Sequence, residues 1–210
     1  MPVMDLPEEL ALPLRSGQSY WYWLGGRPAL DLVNTLRERW WRRVETLVTP
    51  GDLAAWLVAA GLVETPPRVT ALDLEQARAL REAIDAAVVC AVADRPLPGG
   101  TAAALAAPLA LAPLRETVAS SPGGVIEVAV ERAGTPAERA LAALALDAAQ
   151  MLGPDGLPRI RVCASESCSA RFFDRSPAAR RRWCSMRGCG NVEKARRHRA
   201  RARDERMEAV

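Results

Sequence analysis

Four of the five cysteines lie within 27 residues near the carboxyl end of the chain, and they form two identical pairs. Each pair has the spacing Cys-x4-Cys, and 15 residues separate the pairs, which are Cys163 with Cys168 and Cys184 with Cys189. Two short knuckles of this kind are typical of a tetrahedral thiolate zinc site, with free or disulfide-linked cysteines as the alternative. Because the segment is too short to bury a core of its own, metal binding would contribute its folding free energy. The spacing predicts one Zn²⁺ ion per chain.

The ligand set also limits what this zinc ion can do. A catalytic zinc ion keeps an open coordination position for water or substrate, and a structural one does not. Four protein thiolates fill all tetrahedral positions, so the predicted ion is structural. A reduced four-cysteine site further favours the cytoplasm, because disulfides persist in oxidising compartments.

The residues around the cysteines predict a treble-clef-like finger. Residues 160–162 and 170–174 have the composition of two strands, which would form a hairpin with aromatic side chains over the metal. Glycines on both sides of the last cysteine permit a tight turn that brings its sulfur to the start of a helix. We expect that helix to begin near Val192.

Charge is distributed unevenly along the chain. Residues 1–158 contain 13 Arg and 19 Asp and Glu, whereas residues 159–210 contain 15 Lys and Arg and 6 Asp and Glu. A concentrated basic segment on an acidic chain favours a polyanionic partner, most simply DNA, with a solvated and partly frayed tail as the alternative. The candidate contact residues are Arg180, Arg181, Arg182, Arg187, Lys194, Arg196, Arg197 and Arg199.

Residues 1–153 predict one mainly helical domain with a few short strands, so the fold class is α+β. Apolar residues at helical spacing predict helices over 28–43, 52–61 and 72–93. In the first of these helices, Trp40 would be buried and Arg37 would face away. A hinge at residues 154–156 would lead into the finger domain, residues 154–210.

Other segments of the first domain carry local signals. Thr135 and Pro136 predict the start of a further helix that reaches residue 153. The aromatic run at residues 20–24 and the alternating run at 125–130 predict strands. Two prolines are expected to break residues 101–118 into two short helices.

Several classes of protein are disfavoured by the sequence. No uninterrupted apolar run approaches the roughly 20 residues that a membrane-spanning helix requires. The first residues are acidic where a secretory signal is basic, so we expect neither export nor membrane attachment. An enzyme is also disfavoured, because the chain has no Gly-rich phosphate loop, no nucleophile elbow and no histidine in its first domain.

Two stretches of the sequence resemble known families. The segment Arg182-Trp183-Cys184-Ser185-Met186, followed by Cys189-Gly190-Asn191 and a basic helix, is similar to the CGNR-type zinc finger. Residues 24–26 (LGG) and 30–35 (LDLVNT), then 52–53 and 56–57, resemble the ABATE domain that precedes this finger in bacterial proteins. Members are regarded as candidate stress-induced transcription regulators. The resemblance therefore implies a zinc-dependent DNA-binding protein of a bacterial cytoplasm.

One residue departs from the motif of the finger. The motif ends in arginine, and this chain has Val192 at that position. If the arginine contacts a phosphate or a base, one contact is lost; if it only braces the finger, Arg196 is a candidate substitute one turn later. We expect zinc binding to survive.

The first domain contains two candidate ligand-binding residues. Asp31 and Asn34 lie in the ABATE-like motif and would contact a small-molecule or protein signal. The alternative is that they cap and brace a local turn and helix.

Two functions remain open at this point. The first is a transcription regulator whose finger binds DNA and whose helical domain senses a ligand or partner. The second is a zinc-stabilised module that binds protein or RNA without sequence-specific DNA recognition. A lone finger buries little DNA, so sequence specificity would require a homodimer or a partner.

Overall fold

The computed structural model describes residues 6–15 and 17–208, with side chains as far as Arg201. The helices are α1 Pro28–Val33, α2 Pro50–Ala59, α3 Ala71–Val92, α4 Thr101–Leu111, α5 Pro136–Met151 and α6 Asn191–Glu208. The strands are β1 Leu36–Arg37, β2 Val44–Glu45, β3 Leu114–Ser120, β4 Ile126–Arg132, β5 Ile160–Val162 and β6 Arg171–Phe173, paired in sequence as three antiparallel hairpins. The predicted α+β class is confirmed. None of the helices described is long and apolar enough to cross a bilayer.

Helix α3 is the centre of the helical domain, where it packs against α1, α2, α4 and α5. A capping box fixes its start: the Thr70 hydroxyl accepts a hydrogen bond from the Asp73 N–H, and the Asp73 carboxylate accepts one from the Thr70 N–H. Leu74, Ile84 and Val88 are buried on one face at helical spacing. The predictions for α2 and α3 are confirmed to within two residues.

Helix α5 begins as the sequence predicts. The Thr135 hydroxyl accepts a hydrogen bond from the Glu138 N–H, the Glu138 carboxylate accepts one from the Thr135 N–H, and Pro136 occupies the first turn. Its buried face, which includes Leu144, packs against α1, α3 and α4.

The aromatic run at residues 20–24 is not a strand, so that prediction is wrong. The segment is irregular, and its tryptophans pack on the helical core. Trp23 stacks on buried Trp56 with 5.9 Å between the ring centroids, and Trp21 meets Trp23 edge-on. Burial of the large indole rings, rather than a backbone ladder, holds this segment in place.

The helix predicted over residues 28–43 ends at Val33, and the hairpin β1–β2 follows it. The predicted burial is also reversed in this region, because Arg37 is 1% exposed and Trp40 is 53% exposed. The Arg37 guanidinium lies 3.5 Å from the centroid of the Tyr22 ring and donates to the Tyr20 carbonyl. Contacts with the aromatic run therefore override the helical periodicity, which was only local.

The proline-rich middle segment also differs from the prediction. Helix α4 continues through Pro108 instead of ending before it. Pro108 is buried, and the packing of α4 against α5 compensates for the backbone hydrogen bond that proline cannot donate. Pro113 does follow the end of the helix. The chain then forms β3, which the sequence did not predict, and β3 pairs along its whole length with the predicted strand β4.

The hairpin β5–β6 shares the core of the helical domain. β5 packs on α3, and β6 packs on α1. Ile160 is 1% exposed and belongs to the same buried cluster as the helices, and Val162 and Phe173 pack against that cluster. The division of the chain at residues 153 and 154 remains a prediction.

Hydrogen bonds from the first domain hold β6 at its backbone. The Asn34 amide donates to the Arg171 carbonyl and accepts from the Arg171 N–H, both at 2.9 Å. The Gly25 carbonyl accepts from the Phe173 N–H at 2.7 Å. We call these three bonds the β6 clamp.

We predict that Asn34→Ala destabilises the protein by about 2–4 kcal/mol, because it leaves two buried backbone groups without partners. The free energy of unfolding in urea measures this loss. Gln150→Ala, which truncates an exposed amide on α5, is the matched control and should change the free energy by less than about 0.5 kcal/mol. Equal losses in the two variants would contradict a clamping role for Asn34.

Candidate metal centre and basic helix

The four predicted ligands converge at one point of the structure. Their Sγ atoms all lie within 4.8 Å of one another. The Cys168 and Cys184 sulfurs are 3.8 Å apart, and the Cys184 and Cys189 sulfurs are 3.7 Å apart. A tetrahedral ion with Zn–S bonds of about 2.3 Å has sulfur–sulfur edges of about 3.8 Å, whereas a disulfide requires about 2.0 Å. The geometry fits zinc and excludes the disulfide alternative.

The first knuckle is a turn that follows β5. The Cys163 N–H donates to the Ala170 carbonyl at 2.9 Å, which continues the β5–β6 ladder up to the metal site. The Cys168 N–H donates to the Ser165 carbonyl at 3.0 Å and closes the turn. The Ala170 N–H points at the Cys168 sulfur at 3.4 Å, so a backbone dipole stabilises the thiolate.

The second knuckle is a single wide turn at residues 186–190. The Ser185 hydroxyl accepts from the Gly188 N–H at 3.1 Å, and the Ser185 carbonyl accepts from the Gly190 N–H at 2.9 Å. A Cβ at Gly190 would lie 3.2 Å from the Met186 sulfur, so glycine fits this close approach. The turn ends where α6 begins, so it brings Cys189 to the start of that helix, as predicted.

The thiols of the cluster hydrogen-bond to one another. Hydrogen bonds from the thiols of Cys168 and Cys184 lower the pKa of Cys163. A bound zinc ion deprotonates the thiols that coordinate it and leaves no open position here. The four cysteines are therefore positioned to bind one structural zinc ion.

The first turn of α6 is fastened to the first knuckle. Glu193 is 5% exposed, and its carboxylate accepts from the Ser165 hydroxyl at 3.0 Å. Arg196 forms two hydrogen bonds with Glu166, a surface residue of the knuckle, and lies 3.3 Å from the Glu193 carboxylate. Beyond this turn, α6 is exposed on all sides as far as its side chains are described.

Four of the eight candidate DNA contacts have protein partners. Arg181 donates to the Cys184 carbonyl at 2.7 Å and lies over the Phe172 ring, while Arg196 is paired as above. Arg182 and Arg197 both lie against the Trp183 ring, at 5.3 and 5.8 Å from its centroid.

The other four candidates, Arg180, Arg187, Lys194 and Arg199, are exposed. Within the part of the chain that the structure describes, they form no ion pair. Together with Arg182 and Arg197 they make a basic surface around the second knuckle and α6, which we call the basic surface. The role of all eight residues in DNA binding remains a prediction.

The two candidate ligand contacts of the first domain are occupied within the protein. Asn34 belongs to the β6 clamp. The Asp31 carboxylate accepts from the Gly25 N–H at 2.8 Å, and a Cβ at Gly25 would lie 2.7 Å from the Asp31 nitrogen. Burial raises the pKa of Asp31 to about 7 against the lowering effect of that hydrogen bond. Their binding of a signal molecule remains a prediction.

Val192, which replaces the arginine of the motif, is 51% exposed. It lines a cleft of about 830 Å³ between the finger and the first domain, together with Tyr22, Trp41 and Arg187. Arg196, the candidate substitute one turn later, is directed at Glu166 on the first knuckle.

Asp174, which the sequence did not single out, shapes the loop between β6 and the second knuckle. Its carboxylate accepts from the N–H and hydroxyl of Ser176 at 2.9 and 2.7 Å and from the Arg181 N–H at 2.7 Å. An Asp two residues before a Ser and three before a Pro is a local turn signal that could have identified it.

A helical domain that carries a four-thiolate site between a hairpin and a helix defines a zinc-finger protein. Residues 159–202 match the model of the CGNR zinc finger. Residues 26–155 match the model of the ABATE family, described as "putative stress-induced transcription regulator". The chain therefore belongs to the ABATE family, and both resemblances are confirmed. A comparison with curated protein sequences finds no match.

We predict that Cys184→Ser abolishes stoichiometric zinc binding and lowers Tm by about 10 °C or more. Zinc binding contributes several kcal/mol to folding, and each kcal/mol lost lowers Tm by about 2–4 °C in a chain of this length. Zinc content by mass spectrometry and thermal unfolding measure these effects. Cys90→Ser, which alters the half-buried cysteine of α3, is the control and should retain one zinc ion per chain. Zinc retention in Cys184→Ser would refute the assigned ligand set.

We also predict a pH dependence that originates at Asp31. Because its pKa is raised from 3.8 to about 7, the native state retains a proton that the unfolded state releases between these values. This group therefore stabilises the protein below about pH 4, and its contribution is lost as the pH rises through about 7.

Asp31→Asn keeps the acceptor for the Gly25 N–H but cannot ionise. Relative to wild type, the variant should gain about 2–4 kcal/mol of unfolding free energy between pH 4 and pH 8, measured in urea. Parallel pH profiles for the two proteins would show that Asp31 is not the responsible group.

Proposed function

We propose that this protein is a zinc-dependent DNA-binding transcription regulator whose basic surface contacts the DNA backbone. The observation that carries the proposal is the exposed basic helix α6, whose start is fixed by a zinc ligand and by the first knuckle. A fixed start gives the helix a defined direction, which a solvated tail would lack.

The dimensions of α6 suit a groove of DNA. Its 18 residues extend about 27 Å, and the major groove of B-DNA, about 12 Å wide, admits a helix. Lys194, Arg197 and Arg201 lie on one flank of the helix, and Arg199 lies on another. Basic side chains on both flanks can reach phosphates on both walls of the groove.

The charge of the rest of the chain supports the same orientation. Residues 1–158 contain more acidic than basic side chains, so the helical domain is repelled by a phosphate backbone. The guanidinium groups of Arg182 and Arg197 both lie against the Trp183 ring, which limits the conformational entropy that they would lose on binding.

We further propose that the helical domain senses a ligand or partner and that the protein acts as a regulator in the cytoplasm rather than as an enzyme. The β6 clamp supports the first point, because a rearrangement of α1 would alter its contacts with the finger. The closed thiolate site supports a regulator rather than an enzyme, since it offers no coordination position for a substrate.

The test is equilibrium binding of the zinc-loaded chain to duplex DNA of random sequence over a salt series. We expect log K to fall linearly with log salt concentration. The double variant Lys194→Gln/Arg197→Gln should reduce the magnitude of this slope by about 2, because each phosphate contact contributes about 1.

The matched control is Arg68→Gln/Arg95→Gln, which removes the same charge from exposed positions outside the finger. Its salt slope should equal that of wild type. Absence of binding at low salt, with one zinc ion still bound per chain, would refute the DNA proposal and leave a protein- or RNA-binding module. Equal losses in the two double variants would refute the assigned surface.

A further inference from the structure

The hairpin β3–β4 is amphipathic, and its apolar face is open to solvent. In the observed register, alternate residues of both strands share one face: Leu114, Glu116, Val118, Ser120, Ile126, Val128, Val130 and Arg132. The five apolar members of this face are each 59–69% exposed. The opposite face is formed mainly by Arg115, Thr117, Glu127 and Glu131, with Arg115 directly across from Glu131. The polar face is therefore suited to water, and the apolar face is suited to burial.

The rest of the described chain does not cover this face. Both strands make extensive contacts only with each other. The described side-chain and loop hydrogen bonds that tie the hairpin to its surroundings lie at its base, where Arg132 donates to the Ala112 carbonyl and the Ala133 N–H to the Pro113 carbonyl. An isolated two-stranded hairpin is only marginally stable in water, so a covering layer would contribute to its stability.

We propose that the apolar face of β3–β4 is a dimer interface that binds the same face of a second copy of this chain. A self-complementary surface is the requirement for a two-fold dimer, and this face meets it. It carries one acidic residue, Glu116, and one basic residue, Arg132, among apolar side chains.

The positions of these two charges select one arrangement of the copies. In this arrangement the two-fold axis runs parallel to the strands, between the β3–β4 hairpins of the two copies. It places β3 of one copy over β4 of the other. Glu116 then lies about 7 Å along the strand from Arg132 of the second copy, within reach of these long side chains. Both resulting ion pairs lie at the base of the hairpins, next to an apolar layer formed by Val118, Val128 and Val130.

The area of the face agrees with a reversible dimer. Five side chains that are mostly exposed form an apolar patch of several hundred Å², which is large for a monomer. Two such patches bury on the order of 1,000 Å² in total, close to the lower limit for specific interfaces. We therefore expect micromolar affinity. Such a dimer would also supply two fingers, but its existence does not depend on DNA binding.

Sedimentation velocity of the zinc-loaded full chain without DNA tests the dimer over a wide concentration range. Wild type should shift from monomer to dimer. Val128→Glu, which places a charge in the apolar layer, should weaken dimerisation at least about tenfold. Ala129→Glu, which places the same charge on the opposite face of the same strand, is the matched control and should leave dimerisation within about twofold of wild type.

The charge pairs give a second test. Glu116→Arg should weaken the dimer by bringing like charges together, and Glu116→Arg/Arg132→Glu should recover much of the loss. Circular dichroism and zinc content must match wild type in each variant. A wild-type chain that stays monomeric would overturn the proposal and leave the face to another macromolecule. Equal effects of Val128→Glu and Ala129→Glu, or no rescue by the charge exchange, would overturn the proposed interface.

Discussion

The β6 clamp is the interaction on which the rest of the structure depends. Asn34 satisfies both backbone groups of Arg171, and the carbonyl of Gly25 extends the pairing to Phe173. These bonds join the two most informative parts of the sequence, the turn and helix of the ABATE motif and the hairpin that leads into the zinc knuckles. Because β5 contributes Ile160 to the helical core on the other side, the finger cannot be removed without opening the core.

Charged groups reinforce this junction from α3. The buried Arg171 guanidinium lies 2.6 Å from Asp85 and against the Trp40 ring, and Asp85 also pairs with buried Arg39 at 3.1 Å. Removing one member of a buried ion pair costs about 3–5 kcal/mol, because the other charge loses its partner. The interface between the helices and the finger therefore contains buried ion pairs as well as apolar contacts.

The predictions that succeeded rest on strictly local chemistry. Capping boxes at Thr70 and Thr135 depend on residues three positions apart, and the zinc site depends on two short turns. The predictions that failed concern residues whose partners are distant in the sequence. Arg37 is buried because residues 20–22 supply a ring and a carbonyl for it, and β3 forms because β4 follows as a pairing partner. Neither partner is visible in a local periodicity.

The sequence by itself determined the metal ligands, the starts of the long helices and the concentration of basic charge near the carboxyl end, because spacing and composition carry that information. Only the tertiary structure decided that the ABATE motif holds β6, that Arg181 and Arg196 bind protein groups, and that the apolar face of β3–β4 is exposed among the described residues. These features depend on which segments meet in space. Contacts between distant segments are determined by the packing of the whole core, and a short stretch of sequence does not contain that information.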